Sequence, residues 1–338
     1  MLEGALIGFG NIAVRGHIPA YLSDPALAGR VKIRAVMDLP EESRVRVGEI
    51  LPGAAFYTDL AEMLERERIE FVDICTPPST HAAYVRECAA RGLHIVCEKP
   101  LAESTSSAEA AAESLRGKRV VFVPCHQYKY SPLWQSIRSI VASGGIGEVT
   151  LFQANVFRLQ ADTGTPAWNP QWRTDKAHGG GGILADTGAH YFYLAQYLFG
   201  VPKKVSASLR TLKHHGYGVE DTALVLLEYG GMLAQLNLTW AAGRRANSVS
   251  VIGTAGSLEY DGSTLVHTDE RASREIPMPD ISDKTQYIGW YAALLKEFVH
   301  RVETGNHSDD LLSEAQTVMR LLELSIRSSE QGSVLEFS

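Results

Sequence analysis

Over residues 1–125, brief apolar runs alternate with stretches of helical spacing, and this rhythm leaves few folds open. ALIGFG, VKIRAVMD, FVDICTP, LHIVCEKP and RVVFVPC are short, rich in Val, Ile and Phe, and end in turn residues, so they read as strands buried on both faces. Residues 12–22, 41–49, 58–67, 79–91 and 104–116 carry helical patterns between them. Thr58 to Glu62 offers a capping box, Ser79 an N-cap and Gly92 a C-terminal stop. Strands that alternate with helices imply βαβ units, and therefore a doubly wound parallel sheet of the Rossmann kind.

Beyond Cys125 the texture changes. A helical pattern over 131–143 leads into VTLFQANVFRL, which alternates as a strand does, and 159–182 is then a long stretch of little periodicity that carries Trp168 and Trp172. A helix over 188–198 follows, then KKVSASLRTL, TALVLLEYG, MLAQLNLTWA, NSVSVIG and SLEYDG, with Gly230-Gly231 marking a hairpin. Helical patterns over 287–304 and 311–331 close the chain. The expectation is an α/β Rossmann domain over 1–125 and an α+β domain over 126–338 with a large, mostly antiparallel open sheet. The C-terminal helix is free to pack back on the first domain. A length of 338 residues suits two such domains.

Composition narrows the function. A net charge of −7 offers no broad positive field for phosphates, which argues against nucleic acid as a partner. No apolar run nears the roughly 20 residues of a membrane span, and MLEGALIGFG lacks the basic start of a secretory signal, so a cytoplasmic location is expected. Cys75, Cys88, Cys97 and Cys125 lie in or beside apolar runs without CxxC spacing and read as buried thiols. His178, His190, His214 and His215 show no repeated ligand spacing, so no metal is expected.

GFGNIA follows the first strand and opens the first helix, the context in which a GxGxxA turn cradles a dinucleotide. Gly8 permits the tight turn, with Phe9 between the glycines. Gly10 lets backbone approach the pyrophosphate, and Ala13 is the small residue of the helix–strand contact. The helix start at Asn11 and Ile12 presents unpaired N–H groups to the anion. Asp38 ends the second run, 28 residues beyond Gly10, behind a connection lengthened by DPALAGR. An aspartate there accepts hydrogen bonds from ribose and repels a 2′-phosphate, so NAD is expected, and Arg44 leaves NADP open. Thr76, Pro77 and Pro78 form a stiff wall at another strand end, where His81 also belongs to the cofactor's surroundings.

Two further motifs carry chemistry. In CEKP, Glu98 and Lys99 end a strand where ligands of a doubly wound sheet bind, so Lys99 projects toward a nicotinamide. In GGGGILADTGAH, a helix from about Leu184 puts Asp186 and His190 on one face, an aspartate able to orient an imidazole that then serves as general base. Together these point to an oxidoreductase: hydride to nicotinamide, proton to histidine.

GFGNIA, CEKP and GGGILADTGAH, in that order, resemble the Gfo/Idh/MocA family over most of the chain. The resemblance implies oxidation of a secondary alcohol on a sugar, polyol or inositol, with Lys99, Asp186 and His190 as the catalytic set. Trp172-Arg173 resembles the family's WR pair, and the substrate's surroundings are then read as Lys99, Tyr128, Trp172, Arg173, Asp186 and His190, with Lys129, Arg158, Trp168 and His178 as further candidates. Pro78 and the segment HQYKYSP depart from the family's usual residues. Relatives also include dinucleotide-bound sensors without activity and NAD-dependent glycosidases, which stand as alternatives. A homo-oligomer, dimer or tetramer, is implied through the open sheet.

Overall fold

The computed structural model describes residues 1–166 and 168–337. They fall into two compact units, and the division is not a single cut in the chain: Met1–Gln127, Thr163–Trp172 and Tyr287–Gln316 form one, the remaining residues the other.

The first unit holds β1 (Leu2–Ile7), β2 (Val31–Met37), β3 (Ala55–Tyr57), β4 (Phe71–Ile74), β5 (His94–Cys97) and β6 (Phe122–Pro124). They form one parallel sheet in the order β3-β2-β1-β4-β5-β6. This is the Rossmann order, and its winding reverses between β1 and β4, which opens a crevice beyond their carboxyl ends. Leu6, Ile7, Val36, Phe71, Val72, Ile95 and Val96 have no exposed surface, as strands covered on both faces require. Asp73, inside β4, is equally buried and breaks that rule. β3 was outside the sequence reading because three half-buried residues at a sheet edge carry too little pattern.

The helix ends follow side-chain chemistry, with one departure from expectation. Within 58–62 it is Asp59 that caps the helix Leu60–Arg66, accepting the Glu62 amide at 2.8 Å. Ser79 caps nothing: the helix Pro78–Ala90 starts one residue earlier, because proline suits the first helical position, where no N–H is needed. DPALAGR forms a short helix, Pro25–Ala28, capped by Asp24, which accounts for the distance to Asp38. After the glycine turn comes a widened π-helical turn, Ala13–His17, before the α-helix Ile18–Ser23. Such turns concentrate at functional sites. The helix Tyr287–Thr304 belongs to this unit and sets Phe298 against Phe71, ring centroids 5.3 Å apart.

The second unit contains β7 (Val149–Phe157), β8 (Lys204–Arg210), β9 (Thr222–Glu228), β10 (Leu233–Thr239), β11 (Ala246–Gly253), β12 (Gly256–Tyr260), β13 (Thr264–Asp269), β14 (Ser273–Pro277) and β15 (Leu335–Glu336). Their order is β14-β13-β12-β11-β7-β10-β9-β8-β15, antiparallel at every pairing except β7 with β10. Gly230-Gly231 turn the hairpin between β9 and β10, closed by Tyr229 N–H to the Met232 carbonyl at 2.9 Å. Ala234, Leu236 and Leu238 of β10 are buried, while Leu233, Gln235 and Asn237 alternate onto the other face. On the covered face Trp134 meets Phe152 and Tyr191 at 6.4 and 6.1 Å between ring centroids. The open face carries Leu151, Leu224 and Leu233 in exposed positions. No described helix is long and apolar enough to cross a membrane.

Candidate active site

The glycine turn sits at the crevice of the first unit. Gly8 adopts φ +96°, and a Cβ there would lie 2.8 Å from Thr76 Cγ2 and 3.0 Å from the Cys75 carbonyl carbon, so only glycine lets β1 and β4 close together. A Cβ on Gly10 would meet nothing within 4 Å, which leaves its backbone open to a ligand. Ala13 is wholly buried at the helix contact and Asn11 is exposed at the helix start. Phe9 is buried, with the Arg46 guanidinium 5.7 Å from its ring centroid. These residues fit a dinucleotide: a cradle that a side chain at Gly8 would fill, and free backbone at Gly10.

Asp38 stands where an adenosine ribose is expected. Burial pushes its carboxyl above the ordinary range, while Ser43 Oγ, donating at 2.6 Å, the Phe9 and Leu39 amides and the charge of Arg46 oppose this. Arg44, weighed for a 2′-phosphate, instead pairs with Glu41 and lies over the Phe56 ring. The arginine near Asp38 is Arg46, two positions on, which the sequence pattern did not single out.

Two residues assigned to the cofactor wall turn inward. The His81 ring is fully buried, with Nδ1 2.8 Å from the Pro100 carbonyl and Nε2 2.7 Å from the Thr76 carbonyl. Burial pushes this imidazole below its ordinary value, against the pull of those two oxygens. It braces the wall from behind. Glu98 points into the interior, where His17 Nε2 lies 3.0 Å from Oε1 and the Lys99 amide donates to Oε2 at 3.1 Å. Burial raises its carboxyl, and the His17 hydrogen bond and charge more than reverse this, leaving it below the ordinary range. The Lys99–Pro100 bond is cis, and Lys99 itself is half-buried. Pro78 is buried in the first turn of its helix.

Glycines shape the second unit's cluster in the same way. Gly180 takes φ +76° at the end of the short helix Lys176–Gly179, and a Cβ on Gly182 would lie 1.9 Å from the Glu220 carbonyl oxygen. Glu220 was not singled out from sequence, yet its carboxylate accepts the Gly182 and Leu184 amides at 3.0 Å. Desolvation pushes this carboxyl up, and the backbone amides oppose it. Held in this way, the chain enters a second π-helical turn, Leu184–Gly188, and then the helix Ala189–Phe199.

Asp186 lies in that turn and accepts from Arg173 Nε at 3.1 Å. The buried His190 has Nδ1 2.8 Å from the Tyr193 hydroxyl, which also accepts the Tyr128 amide at 3.2 Å. Tyr128 stacks on the imidazole, centroids 4.3 Å apart and planes within 12°. Four residues read from sequence thus gather here, with Tyr193 added. Its one available sign was spacing: position 193 falls one helical turn beyond 190. Arg158 serves structure instead, donating to the Phe157 and Ala246 carbonyls and Asn247 Oδ1 at 2.8 to 3.1 Å. Trp172 packs on the backbone of Gly164, and His178 bonds Asp175.

Comparison with known proteins bears on this arrangement. Residues 2–126 match the oxidoreductase family with the NAD-binding Rossmann fold, and residues 134–259 match the C-terminal domain of the same Gfo/Idh/MocA family. The chain belongs to the Gfo/Idh/MocA oxidoreductase family. Its first unit is therefore an NAD-binding Rossmann fold, in keeping with the crevice. Levoglucosan dehydrogenase of Pseudarthrobacter phenanthrenivorans is 30% identical over 62% of the chain, which spans only 54% of that enzyme's length. D-glucoside 3-dehydrogenase of Escherichia coli is 24% identical, covering 99% of the chain and 97% of its own length. A protein of gentamicin A biosynthesis, solved in complex with NAD, superposes with a TM-score of 0.84 at 26% identity, over 100% of this chain and 96% of that one.

Gly182→Ala is expected to destabilise the protein by about 1–3 kcal/mol, since the added methyl overlaps backbone that has no room to yield. Urea unfolding of the variant against the native chain measures this.

Proposed function

We propose that this oxidoreductase interconverts a secondary alcohol and a ketone on a sugar or polyol, with NAD as partner. The observation that carries the reading is the setting of His190: a buried imidazole stacked on Tyr128 and oriented at Nδ1 by the Tyr193 hydroxyl, as a general base needs to be. The relatives named above act, by their names, on levoglucosan and D-glucosides, which supports a carbohydrate substrate.

Each residue then has a part. NAD, when bound, accepts or returns the hydride. His190 takes the hydroxyl proton. The Lys99 ammonium hydrogen-bonds the substrate oxygen as it gains negative charge. Arg173 and Asp186, paired at 3.1 Å, offer donors and acceptors to neighbouring hydroxyls. Asp38 binds the ribose and disfavours a 2′-phosphate, so NAD is preferred to NADP.

The four cysteines are buried free thiols, which supports a reducing, cytoplasmic setting. The open face of the second unit supports self-association. Leu151, Leu224 and Leu233 are exposed there, and a cavity of about 450 Å³ lies between Phe157, Leu212, Leu224 and Asn237.

Replacing either Lys99 or His190 by alanine should lower kcat about a thousandfold on any polyol that the native chain oxidises, read as NADH absorbance. Full turnover in both variants would refute the assignment. Asp38→Ser should reduce the preference for NAD over NADP by about tenfold, the scale of one lost charged hydrogen bond, measured as the ratio of kcat/KM values. Sedimentation should show a dimer or tetramer that Leu224→Lys weakens.

A further inference from the structure

Side chains that the proposed reaction leaves unused meet beneath the strand end that carries Lys99. His17 closes the widened turn Ala13–His17, and each of its ring nitrogens faces a carboxylate: Nδ1 lies 2.8 Å from Asp73 Oδ2 and Nε2 3.0 Å from Glu98 Oε1. A neutral imidazole donates from one nitrogen only, so two facing carboxylates favour the imidazolium here. His17 and Asp73 have no exposed surface, and Glu98 has 6%. The Tyr21 hydroxyl donates to Asp73 Oδ2, and the Tyr291 hydroxyl to Glu98 Oε1. A Cβ on Gly16 would lie 2.7 Å from the Tyr291 ring, so glycine there lets Tyr291 settle against His17, centroids 4.1 Å apart.

His17, Asp73 and Cys125 also place three ligand-type atoms within 4.8 Å of one another. Both imidazole nitrogens already serve carboxylates, so the ring has no lone pair for a metal. An apolar filling of the same volume would cost less in desolvation than this set of charges. What it would lack is an acceptor aimed at the Lys99 amide, which Glu98 Oε2 supplies at 3.1 Å. Beyond the next peptide bond, His81 holds the Pro100 carbonyl. The lysine's backbone is thus gripped on both sides.

We propose that His17 is a positioning residue that holds Glu98, through which it pins the Lys99 backbone and locks the helix of the glycine turn to the strand end bearing the lysine. The inference deepens the reading of Lys99 given above and rests on it for its link to turnover. Burial lowers the proton affinity of His17, and the charge and hydrogen bond of Asp73 more than offset this, holding it well above the ordinary value.

Amide hydrogen exchange of the cofactor-free protein reads the pin directly. In His17→Gln and in Glu98→Met the Lys99 amide should exchange about tenfold faster, the scale of one lost charged hydrogen bond, while amides in the middle of β1 keep their protection. With substrate, kcat should fall about a hundredfold, as a misplaced catalytic group does, while calorimetry gives a Kd for NAD within about threefold of the native value. Tyr291→Phe keeps every charge and removes one donor to Glu98, so it gives a smaller change in the same direction and serves if a charge variant fails to fold. An unaltered Lys99 exchange rate in the folded variants, or an unaltered kcat, overturns the proposal. If the native chain oxidised no polyol, the proposed reaction would fall, and the exchange rate alone would decide the role of His17.

Discussion

One cation shared by two carboxylates, out of reach of water, underlies the first unit. Charges in such a place cost several kcal/mol each to desolvate unless closely matched. Here the match is specific: Asp73 comes from the centre of a parallel strand, Glu98 from the end of its neighbour, and His17 from the helix that follows the phosphate turn. Tyr21 and Tyr291 complete the set with hydroxyl donors. Because every donor points at a defined acceptor, the first helix, two strands and the helix Tyr287–Thr304 have one relative placement. The glycine turn and the Lys99 peptide inherit it.

The second unit reaches comparable order by other means. Backbone there is brought within van der Waals distance of backbone, which only glycine at 182 allows, and a single carboxylate, Glu220, gathers the amides that enter the π-helical turn. Asp186 and His190 then emerge from neighbouring turns with different partners, a guanidinium for one and a phenol for the other. At His190 Nδ1 the partner is the Tyr193 hydroxyl, one turn further along the same helix. A widened turn alters which side chains share a face, so regular helical spacing is a poor guide across 184–188.

Much of the fold was legible because it rests on local periodicity. Continuous apolar runs forecast buried parallel strands, alternation forecast the half-covered antiparallel sheet, and Gly230-Gly231 forecast a hairpin. β3, β14 and β15 escaped because short or polar edge strands lack either pattern, and β13, though inside the sheet, because its run TLVHTD is polar at alternate and terminal positions. Within FVDICTP the aspartate was read past, although an acid inside a strand buried on both faces demands a partner. That demand was visible in the chain; the identity of the partner was not.

Taken alone, the amino-acid order determined the two architectures, the glycine turn at residues 8–13 and the acid at position 38, and it singled out Lys99, Asp186 and His190 as the candidates for chemistry. Spacing and backbone restriction act over a few residues, and so they are written locally. Tertiary structure decided that Glu98 and His81 face inward, that Arg46 rather than Arg44 attends Asp38, and that His17, Glu220 and Tyr193 support the residues around them. Hydrogen bonds between positions as distant as 17 and 98 exist only once strand order has set them side by side, and no local pattern records that order.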